Sequence, residues 1–244
     1  VNKIMKKDFK CELYKFINLL KQKKNFAFVR ISDAEGHILR GGNVEFDDYR
    51  IGHNWGWKND DAHFKSRELL LNTSLCEDNN FYIGLPTHGD KTFFDEMKGF
   101  TKQKDEFLTF ALLFMDTNHQ YFITDMYAEF KNWEVIGVFR DGADSNRLDL
   151  NVIKTFKIQH SAYVNSLYLI DEIKQYIKEN HIKNKLFLIT GGPFANILIY
   201  KLFKFEKENT YIDIGSALDY KLGLGITKSF LDSTITHKYQ YWFE

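Results

Sequence analysis

The chain has 244 residues, with 33 Lys and Arg against 33 Asp and Glu, so its zero formal net charge argues against general binding to nucleic acid. Its two cysteines, Cys11 and Cys76, cannot build a disulfide scaffold, and no Cys/His spacing reads as a zinc site. A hydrophobic content of 44%, of which aromatics form a large part, suits a globular chain with a sizeable core.

Phe9, Leu13, Phe16, Ile17 and Leu20 repeat at helical spacing and predict an amphipathic helix. The run from Asn25 to Ile31 reads as a buried strand, and SDAEGHILRGG as a turn and a short helix ended by glycines. From Asn43 to Lys58 no period is evident, so a long loop is expected there, with Tyr49, Trp55 and Trp57 either stacking on a ligand or packing locally. Asp61 to Leu75 predicts a helix and Phe81 to Pro86 a second strand, followed by the turn Thr87–Asp90. Phe107, Phe110, Ala111 and Phe114 suggest another helix. Strands are expected at Glu134–Phe139 and Lys154–Ile158, then a helix carrying Val164, Leu167, Ile170, Ile173 and Ile177. Lys185–Thr190 is the clearest strand; a Gly-Gly-Pro turn and an apolar helix follow it, and Tyr211–Gly215 is the last strand.

Short apolar strands alternating with helices predict an α/β fold, a Rossmann-like and mostly parallel sheet flanked by helices. With no repeat or linker in view, residues 1–244 read as a single domain. No apolar run approaches the roughly 20 residues that cross a bilayer, and the basic start VNKIMKKDFKCEL lacks an apolar signal core. The expectation is a cytoplasmic protein, with peripheral membrane association as the alternative.

In such folds ligands sit beyond the carboxyl ends of the strands, and five segments fall there. In Arg30-Ile31-Ser32-Asp33-Ala34-Glu35, the two carboxylates with diphosphate oxygens would form a hard site for Mg²⁺ or Mn²⁺, and Arg30 would face phosphate. The same acids also suit a helix N-terminus. Gly191 and Gly192 let backbone amides approach an anion, and Pro193 suits the first helical turn, although a plain tight turn reads equally well. Asp213, Ser216 and Asp219 would hold ribose or sugar hydroxyls, or serve backbone groups and a cap. His88 and Asp90 suit acid–base work or a solvated turn, and Asp141, in the segment after the third strand, is a further base candidate by position.

Taken together, these segments resemble the GT-D glycosyltransferases. Arg30–Glu35 is similar to their R-[FY]-G-D-G-E signature, with Ser32 and Ala34 in place of the two glycines. His160–Asn165 with Ile170–Ile173, the turn LITGGPFANILIYKLF and Tyr211–Asp219 resemble later parts of that family in order and spacing, with Ser216 where a His is often seen. The resemblance implies a GT-D-type fold and metal-dependent transfer of a sugar from a nucleoside diphosphate donor, UDP foremost, to a glycan or glycoconjugate hydroxyl, with inversion. It implies Asp33 and Glu35 as ligands of Mn²⁺ or Mg²⁺, and Arg30, Ser32, Gly191, Gly192, Pro193, Asp213, Ser216 and Asp219 around the donor. The alternatives are a non-catalytic nucleotide-sugar or glycan-binding protein of the same fold, suggested by the replaced glycines, and another Rossmann-like transferase such as a methyltransferase.

Overall fold

The structure, a computed structural model, describes residues 6–42, 44–48, 53–58, 60–87, 91–159, 161–228 and 243, with the backbone alone at 44–48, 53–57 and 62. In chain order the elements are α1 (Phe9–Lys21), β1 (Ala27–Arg30), α2 (Asp33–Arg40), β2 (Val44–Asp48), β3 (His53–Trp57), α3 (Asp61–Ser74), β4 (Phe81–Leu85), α4 (Lys91–Gly99) and β5 (Leu108–Phe110). There follow α5 (His119–Tyr121), a π-helical turn (Phe122–Met126), α6 (Tyr127–Phe130), β6 (Glu134–Arg140), β7 (Asn151–Ile158), α7 (Ala162–Asn165), α8 (Leu169–Glu179), β8 (Leu186–Ile189), α9 (Pro193–Phe205) and β9 (Thr210–Asp213).

Seven strands form one parallel sheet in the order β5-β4-β1-β9-β8-β6-β7. Both faces are covered, so β4, β8 and β9 are buried at every position; β4 and β8 accordingly read as continuous apolar runs, while β9 buries Thr210 and Asp213 beside Tyr211 and Ile212. On one side α9 packs across β1 and β9, with α3 and α8 against it. On the other, α1 lies beside β5 and the helical stretch 119–130. Much of the aromatic content fills this second layer. Phe16 meets Phe26, Phe28 and Tyr82 edge-on, at centroid distances of 5.3, 5.2 and 4.9 Å, and Phe114 meets Phe28 at 5.1 Å.

The first and last strands lie side by side, and their pairing stops early. Ala27 and Phe28 pair with Tyr211 and Ile212, leaving Arg30 with a strand partner only on its β4 side, at Gly84. The fully buried Asn196 of α9 fills that gap: the Arg30 amide donates to Asn196 Oδ1 at 3.0 Å, and Asn196 Nδ2 donates to the Arg30 carbonyl at 2.7 Å. A side-chain amide thus stands in for a missing strand and satisfies backbone groups that would be costly to leave unpaired in the interior.

Three expectations are corrected. The segment 43–58, expected as a loop, contains an antiparallel pair with Phe46 opposite Trp55 and Val44 opposite Trp57. The helix expected around Phe107–Phe114 is instead strand β5, buried throughout and paired to β4, followed by turns. The stripe from Val164 to Ile177 is broken after Asn165, and α8 starts at Leu169. No helix among the described residues is long and apolar enough to cross a membrane.

Candidate functional site

The carboxyl ends of β1 and β9 bring together residues far apart in sequence. Arg30 Nε and Nη2 donate to Asp213 Oδ2 and Oδ1 at 2.9 and 3.1 Å, a bidentate pair whose side chains are 12% and 1% exposed. Asp213 Oδ1 also accepts from the Gly215 amide at 2.9 Å. Gly215 has φ of +49°, and a Cβ there would come within 2.2 Å of the Arg30 guanidinium, so glycine is required for both conformation and space. Arg30 and Asp213, expected to meet phosphate and sugar hydroxyls, are therefore engaged with each other.

The two carboxylates of the Asp33-Ala34-Glu35 triplet differ in setting because they stand at the first and third positions of α2. Asp33 is exposed. Glu35 is buried, and its Oε2 accepts from the Ser32 amide at 3.0 Å, closing the turn between β1 and α2. Burial pushes the Glu35 carboxyl up to about 7; Arg30 opposes that rise, while Asp213 and Asp33 add to it. Three carboxylates thus surround one guanidinium, an excess of negative charge that is met either by a proton on Glu35 or by a cation.

This has a consequence for stability. The unfolded chain releases the Glu35 proton near the ordinary value of 4.5, whereas the folded protein keeps it to about 7. Folding is favoured most below the lower value, and the contribution is lost as pH rises between the two, on the order of 3 kcal/mol. Glu35→Gln keeps an acceptor for the Ser32 amide but cannot ionise. In chelated buffer its melting temperature should therefore gain on wild type between pH 5 and pH 8; parallel pH profiles would refute this account.

A second charged group lies after β9. Asp219, 6% exposed, accepts from the Thr227 hydroxyl at 2.5 Å and lies 4.0 Å from Arg140 Nη2 at the end of β6. Burial pushes the ammonium of the half-buried Lys228 down, an effect that Asp33 and Asp219 only partly oppose and to which Arg30 adds. Between these strands, β8 is followed, after Thr190, by Gly191 and Gly192, with φ of +144° and +53°, and Pro193 opens the 13-residue helix α9. The Arg140 amide donates to Thr190 Oγ1 at 3.2 Å, tying the end of β6 to this turn.

Ser32 and Ser216 are half-buried at the same edge of the sheet. Asp141 follows Arg140 at the end of β6; its carboxylate is 81% exposed, in an ion pair with Lys157 at 3.7 Å. His88, Asp90, Tyr49 and the side chains of Trp55 and Trp57 lie outside the described residues. Sequence reasoning missed Asn196, Arg140 and Lys228. Asn196 is legible as the one amide in the apolar run PFANILI, and Arg140 ends its strand as Arg30 ends β1; Lys228 has no local signal.

At the sequence level, no family model and no curated protein matches the chain. Solved structures do. A glycosyltransferase (DUF1792) from Streptococcus sanguinis superposes with a TM-score of 0.61 at 15% identity, over 91% of this chain and 86% of that one. A structure of the highly conserved domain of unknown function 1792, described as having a distinct glycosyltransferase fold, superposes with a TM-score of 0.55 at 14% identity, over 86% and 80%. The selenomethionine form of the DUF1792 domain gives the same values. The chain has this glycosyltransferase fold, as the resemblance to GT-D enzymes implied.

Proposed function

We propose that the protein is a glycosyltransferase that moves a sugar from a nucleoside diphosphate donor, UDP foremost, to a hydroxyl of a glycan or glycoconjugate. The observation that carries this reading is the placement of Asp33 and Glu35 at the carboxyl end of the first strand, beside Arg30 and Asp213, within a fold shared with DUF1792 glycosyltransferases.

The residues present fit a divalent cation. Asp33 offers an exposed carboxylate and Glu35 its Oε1, both hard oxygen donors, in a site with surplus negative charge. Among the described residues no group of three or more His, Cys, Asp or Glu is set to hold a metal, so donor oxygens and water would complete the shell. When bound, Mg²⁺ or Mn²⁺ supplies neutralisation of charge on the departing diphosphate.

The chain's own residues have separate roles. Glu35, anchored on the Ser32 amide, fixes the turn that presents Asp33. The Arg30–Asp213 pair holds the first and last strands together beneath the site. With inversion, the acceptor oxygen attacks the anomeric carbon as its bond to diphosphate breaks, and a general base takes the acceptor proton. His88, Asp90 and Asp141 are the sequence candidates for that base.

The test is release of nucleotide by wild type from a panel of UDP- and GDP-sugars with Mn²⁺ and a range of glycan acceptors. Turnover on one donor supports the reading. Binding of nucleotide without turnover would favour the non-catalytic protein of the same fold, and binding of an adenosyl cofactor instead would favour another transferase.

A further inference from the structure

Asn196 and Asn209 are both fully buried, and they stand at opposite ends of the sheet. Each spends its side chain on the main chain of a neighbouring segment. Asn209, directly before β9, accepts from the Lys185 amide and donates to the Ile182 carbonyl, both at 2.9 Å, and so ties the amino end of β9 to the segment entering β8. Asn196, in the first turn of α9, makes the same two bonds with the amide and carbonyl of Arg30, at the carboxyl end of β1. The two clips are alike in chemistry and burial. They differ in what the clipped segment carries.

Arg30 stands shortly before Ser32, where the chain turns into α2. Its amide and carbonyl face Asn196, while the next amide, that of Ile31, faces the other way and donates to the Gly84 carbonyl at 2.8 Å. The chain is thus held on both sides just before Ser32, whose own amide donates to Glu35 Oε2 at 3.0 Å and which is followed directly by Asp33. β9 gives no main-chain support at this point, because its pairing with β1 ends at Phe28 and Ile212. Without Asn196, the main chain at the tip of β1 would keep its hydrogen bonds to β4 alone.

We infer that Asn196 is a positioning residue for the divalent cation: it sets the direction in which the Ser32 turn leaves β1, and through that turn the placement of Asp33 and Glu35. This role rests on the glycosyl-transfer reading, with its cation on those two carboxylates, and adds to it a residue whose own hydrogen bonds go to neither of them. Hard cations hold their oxygen ligands within a narrow range of distances, so a turn free to tilt loses affinity even with both carboxylates present. Asn209 supplies the comparison, since an equal loss of hydrogen bonds at the amino end of the sheet leaves that turn as it is.

Calorimetric titration of the full chain with Mn²⁺, alone and with UDP, set beside melting curves, tests this without turnover. Wild type should bind Mn²⁺. Asn196→Ala and Asn209→Ala should both lower the melting temperature, since each leaves two backbone groups unpaired in the interior. Only Asn196→Ala should also weaken Mn²⁺ binding, by roughly tenfold or more, the usual scale for a group that supports metal ligands from behind. Asn196→Ser and Asn209→Ser leave room for water to take the two backbone groups, and they decide the matter where an alanine variant does not fold; the same contrast in Mn²⁺ affinity is expected of them. Mn²⁺ affinity unchanged in the folded Asn196 variant, or weakened equally in the Asn209 variant, overturns the inference and leaves the cation site standing. Failure of wild type to bind Mn²⁺ in either condition removes the cation from the glycosyl-transfer reading, and this inference with it.

Discussion

Asp33→Ala should abolish sugar transfer while leaving the protein folded. The expected loss is roughly 10³-fold in kcat or more, because the removed carboxylate is one of the two proposed to hold a divalent cation, and each factor of ten corresponds to about 1.4 kcal/mol of transition-state stabilisation. The cost in stability should stay below about 1 kcal/mol, since Asp33 is exposed and loses only a favourable position at a helix N-terminus. Nucleotide release in Mn²⁺ titrations, set beside melting curves, reads both quantities. An Asp33→Ala variant that keeps metal-dependent turnover would remove this residue from the site.

The largest stability effect is expected at Arg30 and Asp213. Arg30→Ala leaves a carboxylate that is 1% exposed without its counter-ion, and breaking such a buried pair costs about 3–5 kcal/mol. For a chain of this size that corresponds to a fall in melting temperature of roughly 10 °C. The cost comes from the stranded charge rather than from any large net value of the pair, so Arg30→Met combined with Asp213→Leu should recover much of it. Chemical denaturation of both variants decides the matter. A loss below about 1 kcal/mol in Arg30→Ala would show that Asp213 finds another partner, and equal losses in single and double variants would refute the stranded-charge account.

The strands that were legible in sequence are those buried on both faces. β4 and β8 are uninterrupted apolar runs, β1, β6 and β9 are apolar through their middles with polar or charged residues at their ends, and turn residues follow them. β5 was not legible because its three residues, Leu108-Thr109-Phe110, lie among Phe107, Ala111 and Phe114, which with Phe110 also satisfy helical spacing, and pairing with β4 decides between the two states. The pair β2–β3 was hidden by charged and polar residues among its aromatics. For the site, the triplet from Asp33 to Glu35 and the glycine turn were readable as local patterns. Their environments were not. The ion pair between Arg30 and Asp213 spans 183 residues, and nothing near Arg30 announces that its charge is already taken. That Glu35 faces inward and Asp33 outward follows from helix geometry once the start of α2 is fixed.

Asn196 has a consequence beyond satisfying two backbone groups. It lies in the first turn of α9, so its two hydrogen bonds to Arg30 act as a spacer between the tip of the first strand and the start of that helix. The spacing between the acidic cluster at β1 and the glycine turn at β8 is then a property of the resting protein, set before any ligand arrives. Under the proposed glycosyl transfer, a ligand engaging both groups would meet them without rearrangement.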